Sequence, residues 1–322
     1  MRAPRFWWHG GPVSLALAPL GWAWAAGAAL RQTSGHAYRS RVPVVCVGNV
    51  VAGGAGKTPV AVSLARRLPG AHFLSRGYGG SASGPLRVDP TRHDHALVGD
   101  EPLLLAEVAP CWVARDRGAG ARAAARDGAS CLVMDDGFQD PSIVKDLSLL
   151  VVDGSVGFGN GRCIPAGPLR EPVAAALARV QAVAILGEDR TGVGQRVRPL
   201  PVLRGRLEPE SESAALAGVR VVAFAGIGRP EKFFETLRGM GAELIRTFAF
   251  SDHHPYSAVE VGHLIAAAEG GAATLVTTTK DFVRLPAHQR GHVAVLRVEV
   301  AWEDEAALDA VLAPVLARVA AA

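Results

Sequence analysis

The stretch from residue 44 to residue 68 places the tightest constraint on the fold. Its apolar beginning, Val44-Val-Cys-Val47, predicts a buried strand, the glycines that follow predict a tight loop, and residues 58–68 predict a helix. In such an arrangement, backbone N–H groups and the positive end of the helix hold phosphate oxygens. We therefore predict a nucleotide-binding loop that comprises Gly53, Gly54, Ala55, Gly56, Lys57, Thr58 and Pro59.

Two side chains of this loop have predicted roles in phosphate chemistry. Lys57 is expected to reach the β- and γ-phosphates, and the Thr58 hydroxyl is expected to ligate Mg²⁺. The sequence departs from the G-x-x-x-x-G-K-T pattern at one position, since Val51 stands where the first glycine would fall. A glycine-rich turn that precedes Lys-Thr by chance is the alternative, and the flanking strand and helix favour nucleotide binding.

The composition is that of a globular chain with about two domains. It has 322 residues, of which 49% are hydrophobic, and a formal net charge of +4. This mild charge, without interleaved aromatic and basic residues, gives no indication of nucleic-acid binding. The four cysteines, Cys46, Cys111, Cys131 and Cys163, have no C-x-x-C spacing, which predicts buried thiols in a reducing compartment and no zinc site.

The N-terminal segment 10–30 contains no charged side chain. A helix of this length would extend about 30 Å, near the thickness of a bilayer core. Tryptophans of the kind found at membrane interfaces lie before and within it: Trp7, Trp8, Trp22 and Trp24. Because Pro12 and Pro19 disfavour a regular helix, the segment is expected either to span the membrane or to lie in its interface. A cleaved signal peptide and a buried core helix are the alternatives.

Acidic residues stand at two informative places. The apolar run 131–134 ends in Asp135 and Asp136, the form of a Walker B strand whose carboxylate holds Mg²⁺. A simple turn is the alternative for this pair. Asp100 lies in Gly99-Asp-Glu-Pro102, immediately before the helical run 103–108, and is predicted to be the N-cap of that helix.

Strands alternate with helices up to residue 190, which predicts a parallel sheet with helices on both faces. A polar, glycine-rich segment at 187–198 predicts a boundary, and a second α/β unit follows it. Strands at 201–207 and 292–300 are predicted to pair as a short linker. The predicted fold is therefore α/β: an apolar N-terminal membrane helix (1–32), a P-loop NTPase-type parallel-sheet domain (33–200) and a smaller α/β domain (201–322) joined by two linker strands.

An ordered set of motifs resembles those of the tetraacyldisaccharide 4′-kinase family over nearly the whole chain. The motifs are Val47-Gly-Asn with Gly53-Gly-Ala-Gly-Lys-Thr-Pro59, Ser75-Arg-Gly-Tyr-Gly79, Gly99-Asp-Glu-Pro102, Asp135-Asp-Gly-Phe-Gln139, Phe158-Gly-Asn-Gly161, Pro165-Ala-Gly-Pro-Leu-Arg-Glu171, Phe224-Ala-Gly-Ile-Gly-Arg-Pro230, Phe250-Ser-Asp-His253 and Thr278-Thr-Lys-Asp281. The family's loop likewise lacks the early glycine. Asp140 is a departure, because a His commonly follows the Gly-Phe/Leu-Gln run.

The resemblance implies a kinase that moves the γ-phosphoryl group of ATP to the 4′-hydroxyl of a tetraacylated, 1-phosphorylated glucosamine disaccharide. The product would be lipid IVA, an intermediate of lipid A biosynthesis. The resemblance also implies Mg²⁺, and a membrane surface at the cytoplasmic face of the bacterial inner membrane, where an acylated substrate would be met. It implies no obligate protein partner.

The resemblance also implies roles for individual residues. Asp100 would be the general base for the 4′-hydroxyl, and His253 would pair with it across the cleft between the domains. Mg²⁺ would be held by Thr58, Asp135 and Asp136. Phosphate charge would be neutralised by Arg76, Arg117 and Arg170. Substrate positioning or loop order would fall to Tyr78, Gln139, Asn160 and Glu171.

Two other classes of protein share some of these features. A membrane-associated P-loop ATPase of the partitioning or insertion type would explain the phosphate loop and the apolar N-terminus. It would not explain the Asp100 and His253 motifs or the Gly/Pro-rich loop at 157–172. A nucleotide-binding membrane scaffold without turnover is the third possibility.

Overall fold

The structure, a computed structural model, describes residues 4–33 and 37–321. Residues 1–3, 34–36 and 322, which belong to the three predicted segments of the chain, lie outside the described residues. Within the described residues the chain forms one sheet of nine strands and one of four. The strands are β1 (Val44–Gly48), β2 (Ala71–Ser75), β3 (Leu86–Arg87), β4 (Cys111–Val113), β5 (Cys131–Asp135), β6 (Leu147–Asp153), β7 (Ala182–Leu186), β8 (Val202–Pro209), β9 (Arg220–Ala225), β10 (Glu243–Ala249), β11 (Thr274–Thr278), β12 (Val293–Leu296) and β13 (Val298–Trp302).

The helices lie on both faces of these sheets and at the N-terminus. They are α1 (Phe6–His9), α2 (Pro12–Ala16), α3 (Ala18–Thr33), α4 (Lys57–Arg67), α5 (His95–Val98), α6 (Asp100–Ala106), α7 (Arg117–Arg126), α8 (Val173–Leu177), α9 (Val193–Arg196), α10 (Pro230–Gly239), α11 (Ala258–Gly270), α12 (Thr279–Phe282) and α13 (Glu305–Ala320), with short 3₁₀ turns at Ser211–Leu216 and Ala287–His292.

The larger sheet has the order β13-β8-β7-β6-β1-β5-β2-β4-β3 and is parallel except at its two edges. Strands β1, β2, β5, β6 and β7 are buried along their full lengths, as expected for apolar strands covered on both faces. One core lies on the face that carries Leu64 of α4, and a second lies on the face that carries Met134 and Phe138. The predicted parallel α/β class is confirmed.

The smaller sheet has the order β10-β9-β11-β12 and is parallel throughout. Helix α10 packs on one face through Phe234 and Leu237, and helix α11 packs on the other through Val261 and Leu264. The second unit is therefore a three-layer α/β structure with a core of its own.

The linker region differs from the prediction. The single strand expected at 292–300 is two strands that separate at Arg297: β12 belongs to the smaller sheet, and β13 belongs to the larger one. Strand β13 does pair with β8, antiparallel, with Val300 opposite Leu207. Because β8 also pairs with β7, both linker strands are part of the larger sheet rather than a free connection.

The C-terminal helix α13 also packs on the larger sheet, although the predicted domain boundaries place it in the smaller domain (201–322). Leu308, Leu312 and Val315 are buried in the same core as Leu64 of α4. Next to them, the Trp302 indole donates a hydrogen bond to Ser63 Oγ at 2.9 Å. The chain therefore leaves the larger sheet after β8, forms the smaller unit and returns through β13 and α13.

The N-terminal segment is three short helices instead of one continuous helix over 10–30. The chain turns at Gly10 and Gly11, which have φ values of 73° and 111°, and Pro12 begins α2. The longest piece, α3, has 16 residues and extends about 24 Å. In residues 4–33 and 37–321, no helix combines the length and apolar character needed to cross a bilayer.

We expect Leu312→Ala to destabilise the larger unit by about 2–5 kcal/mol, because it removes a fully buried side chain from the core that α13 completes. Urea unfolding followed by circular dichroism provides the measurement. Val259→Ala, at a position that is 68% exposed on α11, is the matched control and should change the free energy of unfolding by at most about 0.5 kcal/mol. Equal effects of the two substitutions would contradict the assignment of α13 to this core.

Candidate active site

The phosphate-binding loop follows β1 near the centre of the larger sheet. Gly56 is the N-cap of α4 and has φ of 83°, and a Cβ atom there would lie 2.5 Å from Leu186 Cδ1. A side chain at this position is therefore disfavoured by the backbone conformation, and it would also require Leu186 to move. Helix α4 begins at Lys57, so its N-terminus points at the loop, as the sequence predicts for a phosphate site.

Val51 has a structural role at the position where the motif would place a glycine. It forms an isolated antiparallel bridge with Leu169, next to hydrogen bonds from Ala52 N to Pro168 O at 2.8 Å and from Arg170 N to Val50 O at 2.7 Å. The start of the loop is thereby paired with the Gly/Pro-rich segment. An extended backbone accepts valine, so the departure from the motif has a local explanation.

Lys57 and Asp136 form the charged centre beneath the loop. Lys57 Nζ lies 3.3 Å from Asn49 Oδ1 and 3.6 Å from Asp136 Oδ2. Arg170 Nη1 donates to both carboxylate oxygens of Asp136, at 2.8 and 3.0 Å. Burial opposes ionisation, but the Lys57 and Arg170 charges outweigh it and lower the pKa of the Asp136 carboxyl. Asp136 is therefore an anion that these two cations neutralise.

Asp135 has a different environment although it is the adjacent residue. It is 4% exposed at the end of β5, and its Oδ2 accepts a hydrogen bond from Thr58 Oγ1 at 2.8 Å. Its Oδ1 is buried without a hydrogen-bond partner among the described residues. Burial, reinforced by the nearby Glu101 carboxylate, raises the pKa of Asp135 to about 7. The structure thus places Thr58 and Asp135 together at the loop, with one carboxylate oxygen unused.

Asp100 is not the N-cap that the sequence predicts. Gly99, with φ of 87°, is the N-cap of α6, and Asp100 is the first residue of the helix. The Asp100 side chain is turned away from the helix end and toward the second unit. The local pattern was misleading because a capping Asp and a functional Asp have the same sequence signature at a helix start.

His253 of the second unit meets Asp100 of the first. Asp100 Oδ2 lies 3.0 Å from His253 Nδ1 and 2.6 Å from Arg284 Nε, so the imidazole and the guanidinium contact the same oxygen. Burial opposes ionisation of Asp100, but the hydrogen bond with His253 and the charge of Arg284 lower the pKa of its carboxyl. The hydrogen bond with Asp100 in turn raises the pKa of His253. The expected juxtaposition of Asp100 and His253 is present in the structure.

A buried network in the second unit fixes the position of Arg284. Its Nη1 donates to Gly226 O at 3.1 Å and to Asp281 Oδ1 at 3.2 Å. Asp281 is fully buried and also accepts from Tyr256 Oη, Gly226 N and Thr278 Oγ1. The Phe224–Pro230 and Thr278–Asp281 motifs therefore meet behind the Asp100–His253 contact.

Further ion pairs join the two units on either side of this contact. Lys280 Nζ donates to Glu101 Oε1 at 2.7 Å, and Arg297 Nη1 donates to Glu107 Oε2 at 3.0 Å. On the P-loop side, Arg229 and Lys232 both donate to Asp153 Oδ2, and Arg229 also donates to Gly54 O at 3.2 Å. The smaller unit therefore contacts both the phosphate loop and the start of α6.

The predicted positioning residues occupy three different settings. Arg76 and Tyr78 are exposed on the loop after β2, and the Tyr78 ring lies 6.4 Å from that of His253. Gln139 Nε2 donates to Asn49 O at 2.8 Å and to Glu171 Oε1 at 3.1 Å. Gln139 and Glu171 therefore support the backbone at the start of the phosphate loop. Asn160 Nδ2 donates to the carbonyls of Phe6 and Ala166 and connects the N-terminal helices to the Gly/Pro-rich segment.

Arg117 is buried rather than displayed to solvent. Its guanidinium pairs with Asp140 through Nε and Oδ2 at 3.3 Å, and its Nη1 has no hydrogen-bond partner among the described residues. Asp140, the residue that departs from the family pattern, also accepts from the backbone N and hydroxyl of Ser142. In this chain the acidic residue at position 140 therefore supplies the counter-charge for Arg117.

Sequence reasoning missed Arg284, Asp153 and Asn49 as parts of the site. Asn49 directly follows β1, and Asp153 is the last residue of β6, so the carboxyl-end rule for parallel strands points to both. Arg284 stands between the apolar residues Val283 and Leu285, and a basic residue inside an apolar run is the one available signal.

The raised pKa of Asp135 predicts an unusual pH dependence of stability. Its folded-state pKa of about 7 lies above the unfolded value of about 3.9, so this carboxyl destabilises the fold increasingly as pH rises through that range. In EDTA at pH 8, Asp135→Asn should therefore increase the free energy of unfolding by about 1–4 kcal/mol. The gain should shrink toward zero near pH 4, and urea unfolding at several pH values measures it.

Asp136→Asn is the matched control for this prediction, since the adjacent carboxyl has a lowered pKa. The stabilisation that Asp136 contributes is present above its unfolded pKa and is lost as pH falls through its folded pKa. Asp136→Asn should therefore be less stable than the wild type at pH 8. If Asp135→Asn were destabilised at pH 8 as well, the inferred environment of Asp135 would be wrong.

Comparisons with known proteins identify one family. The family described as Tetraacyldisaccharide-1-P 4′-kinase matches residues 13–317. A tetraacyldisaccharide 4′-kinase of Rhodospirillum centenum is 58% identical, with 98% of this chain and 97% of the relative covered. Another tetraacyldisaccharide 4′-kinase, from Paramagnetospirillum magneticum, is 55% identical, with 94% of this chain and 95% of the relative covered.

A solved structure has the same fold. The crystal structure of LpxK from Aquifex aeolicus, described as an "apo" form in complex with ATP, is 25% identical and has a TM-score of 0.79. The match covers 95% of this chain and 100% of that one. The family resemblance is thus confirmed over nearly the whole chain, and the chain belongs to the tetraacyldisaccharide 4′-kinase family.

Proposed function

We propose that the chain, as a member of this family, transfers the γ-phosphoryl group of ATP to the 4′-hydroxyl of a tetraacyldisaccharide 1-phosphate in the cleft between its two units. The contact between Asp100 and His253 carries the proposal, because it joins a carboxylate at the start of α6 to an imidazole of the other unit. A partitioning or insertion ATPase has no second substrate to deprotonate, so it would not need this carboxylate–imidazole pair. The ATP complex of the Aquifex aeolicus relative supports ATP as the donor.

The phosphate loop supplies binding and charge neutralisation. Lys57 and the N-terminus of α4 would hold the phosphates, and Arg76, which is exposed and has no ion-pair partner in the described part of the chain, is available to a bound phosphate. Arg170 acts indirectly, since Asp136 occupies its guanidinium. These groups favour transfer because positioning and electrostatic stabilisation dominate phosphoryl-transfer catalysis.

The residues present fit Mg²⁺. Asp135 offers a buried oxygen without a protein partner, and the Thr58 hydroxyl lies beside the other oxygen. No group of three or more His, Cys, Asp or Glu side chains suited to a metal occurs in residues 4–33 and 37–321. Mg²⁺ in kinases needs only one or two carboxylates together with phosphate oxygens. Bound there, Mg²⁺ would neutralise charge on the transferred phosphate.

Asp100 is the proposed general base. Its Oδ2 already contacts His253 and Arg284, whereas its Oδ1 has no protein partner among the described residues. Oδ1 is therefore the oxygen that would accept the proton of the 4′-hydroxyl. His253 has a side chain that is 50% exposed and contacts Asp100 through Nδ1, so it can orient the carboxylate and share the proton.

We expect Asp100→Ala to reduce turnover by at least about 100-fold while ATP affinity stays near that of the wild type. The assay measures transfer of ³²P from γ-labelled ATP to purified tetraacyldisaccharide 1-phosphate, with the product phosphorylated at the 4′ position. Asp116→Ala, which removes an N-cap of α7 in the same unit, is the control and should retain turnover. Loss of ATP binding in Asp100→Ala would show that its role had been misassigned, and label released only to water would favour the ATPase.

His253 needs a substitution that its backbone permits. Its φ is 56°, in the left-handed region where Asn is tolerated better than Ala. We expect His253→Asn to reduce kcat by about 10- to 1,000-fold and to leave KM for ATP within a few-fold of the wild type. His263→Asn is the control because His263 is an exposed residue of α11 in the same unit. Equal activity of the two variants would remove His253 from the mechanism.

We further propose that the N-terminal helices lie on the cytoplasmic surface of the inner membrane. Trp22 is 72% exposed and Leu30 70%, and further large apolar side chains are exposed beside them: Val13, Leu15, Leu20 and Trp24. The buried side of this segment is docked, since Ser14 Oγ donates to Ala166 O at 2.6 Å. An amphipathic segment of this kind places its apolar face at the boundary of headgroups and acyl chains.

The triple variant Leu20→Ser, Trp22→Ser, Leu30→Ser should bind vesicles of phosphatidylethanolamine and phosphatidylglycerol at least about 10-fold more weakly, because it removes the exposed apolar surface. Cosedimentation measures the effect, and transfer to detergent-dispersed acceptor should persist. Ile245→Ser with Val259→Ser, two exposed positions of the second unit, is the control. A similar loss of vesicle binding in the control would argue against the N-terminal surface.

A further inference from the structure

We infer that Arg284 is a positioning residue for phosphoryl transfer, because it holds the Asp100 carboxylate from the opposite side of the cleft and so makes the orientation of the base depend on contact between the units. The inference rests on the proposed role of Asp100. It assigns to Arg284 no contact with ATP or with the acceptor.

The geometry of Arg284 is suited to holding rather than to binding substrate. Its side chain is 2% exposed, and three groups fix its guanidinium: Asp100 Oδ2 through Nε, and Gly226 O and Asp281 Oδ1 through Nη1. Gly226 and Asp281 belong to the second unit, whereas Asp100 begins α6 of the first. A rigid planar guanidinium with contacts on both sides restrains the distance between them and the position of the Asp100 Oδ2 atom.

Asp100 makes the shorter of the two carboxylate contacts of Arg284, at 2.6 Å against 3.2 Å for Asp281. Asp281 is the other anion in contact, but it is fully buried and shared with Tyr256, Gly226 and Thr278, and burial raises the pKa of its carboxyl. An unpaired buried guanidinium is strongly unfavourable. The contact between the units is therefore favoured when Asp100 is ionised, which is the state in which it can accept a proton.

Arg284 also acts on both members of the proposed acid–base pair. The charged groups that face Asp100 are His253 and Arg284, and those that face His253 are Asp100, Asp252 and Arg284. Arg284 Nη2 lies 3.4 Å from His253 Nδ1. A permanent cation at this place opposes protonation of the carboxylate and of the imidazole alike. A residue that only clamped the two units together would have neither effect.

Arg284→Gln tests the inference, with Arg284→Lys as the conservative variant and Arg297→Gln as the control. Arg297 also joins the units, but it contacts Glu107 immediately after the last residue of α6, away from Asp100. We expect Arg284→Gln to lower kcat by about 10- to 100-fold with KM for ATP nearly unchanged. The acid limb of the pH profile should move to higher pH, because the pKa of Asp100 rises when the cation is removed. Arg284→Lys should restore part of the lost kcat and part of the shift in the acid limb. Arg297→Gln should change neither kcat nor the acid limb.

A second measurement does not depend on turnover. In ¹⁵N-histidine NMR spectra, the pKa of His253 should rise in Arg284→Gln and stay close to the wild-type value in Arg297→Gln, with circular dichroism as the check on folding. A wild-type pH profile and an unshifted His253 resonance in folded Arg284→Gln would overturn the inference. Absence of transfer to the lipid acceptor by the wild-type chain would instead refute the proposed function, so the two failures are distinguishable.

Discussion

The contact of one carboxylate oxygen, Asp100 Oδ2, with His253 joins the two proposed catalytic residues across the units. The same oxygen contacts His253 Nδ1 and Arg284 Nε, so two residues of the four-stranded unit hold Asp100 of the nine-stranded unit. Buried charges require partners, and the network behind Arg284 supplies them through Gly226, Asp281 and Tyr256. The return of the chain through β13 and α13 into the larger sheet anchors both ends of the smaller unit and so limits its possible orientations.

The N-terminal helices are connected directly to the backbone of the active site. The Trp24 indole donates to Arg170 O at 2.8 Å, and Gln32 Nε2 donates to Gln139 O at 3.2 Å. The side chain of Arg170 holds Asp136, and that of Gln139 holds the carbonyl of Asn49 beside the phosphate loop. The exposed apolar surface and the phosphate site therefore belong to one hydrogen-bonded frame. The surface proposed to lie at the membrane is thereby linked to the residues around the phosphate loop.

Local chemistry was predictable from the sequence, and long-range pairing was not. The strand that begins at Val44 and helix α4 were each predicted to within one residue at either end, because apolar runs and glycine loops encode short-range structure. The proximity of Asp100 and His253 came from the family resemblance, since 153 positions separate them. Arg284 is farther still from Asp100, and only the tertiary fold brings it near. The division of residues 292–300 into two strands was missed because both halves are apolar and differ only in which sheet pairs with them.

The carboxylates of Asp136, Asp100 and Asp135 have different electrostatic partners, and the difference supports the separate roles proposed for them. Lys57 and Arg170 neutralise Asp136, and Arg284 neutralises Asp100. Asp135 alone of the three has no cationic side chain within 4 Å among the described residues, and its pKa is raised to about 7. Environments that push the pKa values of neighbouring acids apart are how a site separates roles. A buried carboxylate without a neighbouring cationic side chain would be stabilised by a bound metal cation, so this asymmetry supports the proposal that Asp135, rather than Asp136, would ligate Mg²⁺.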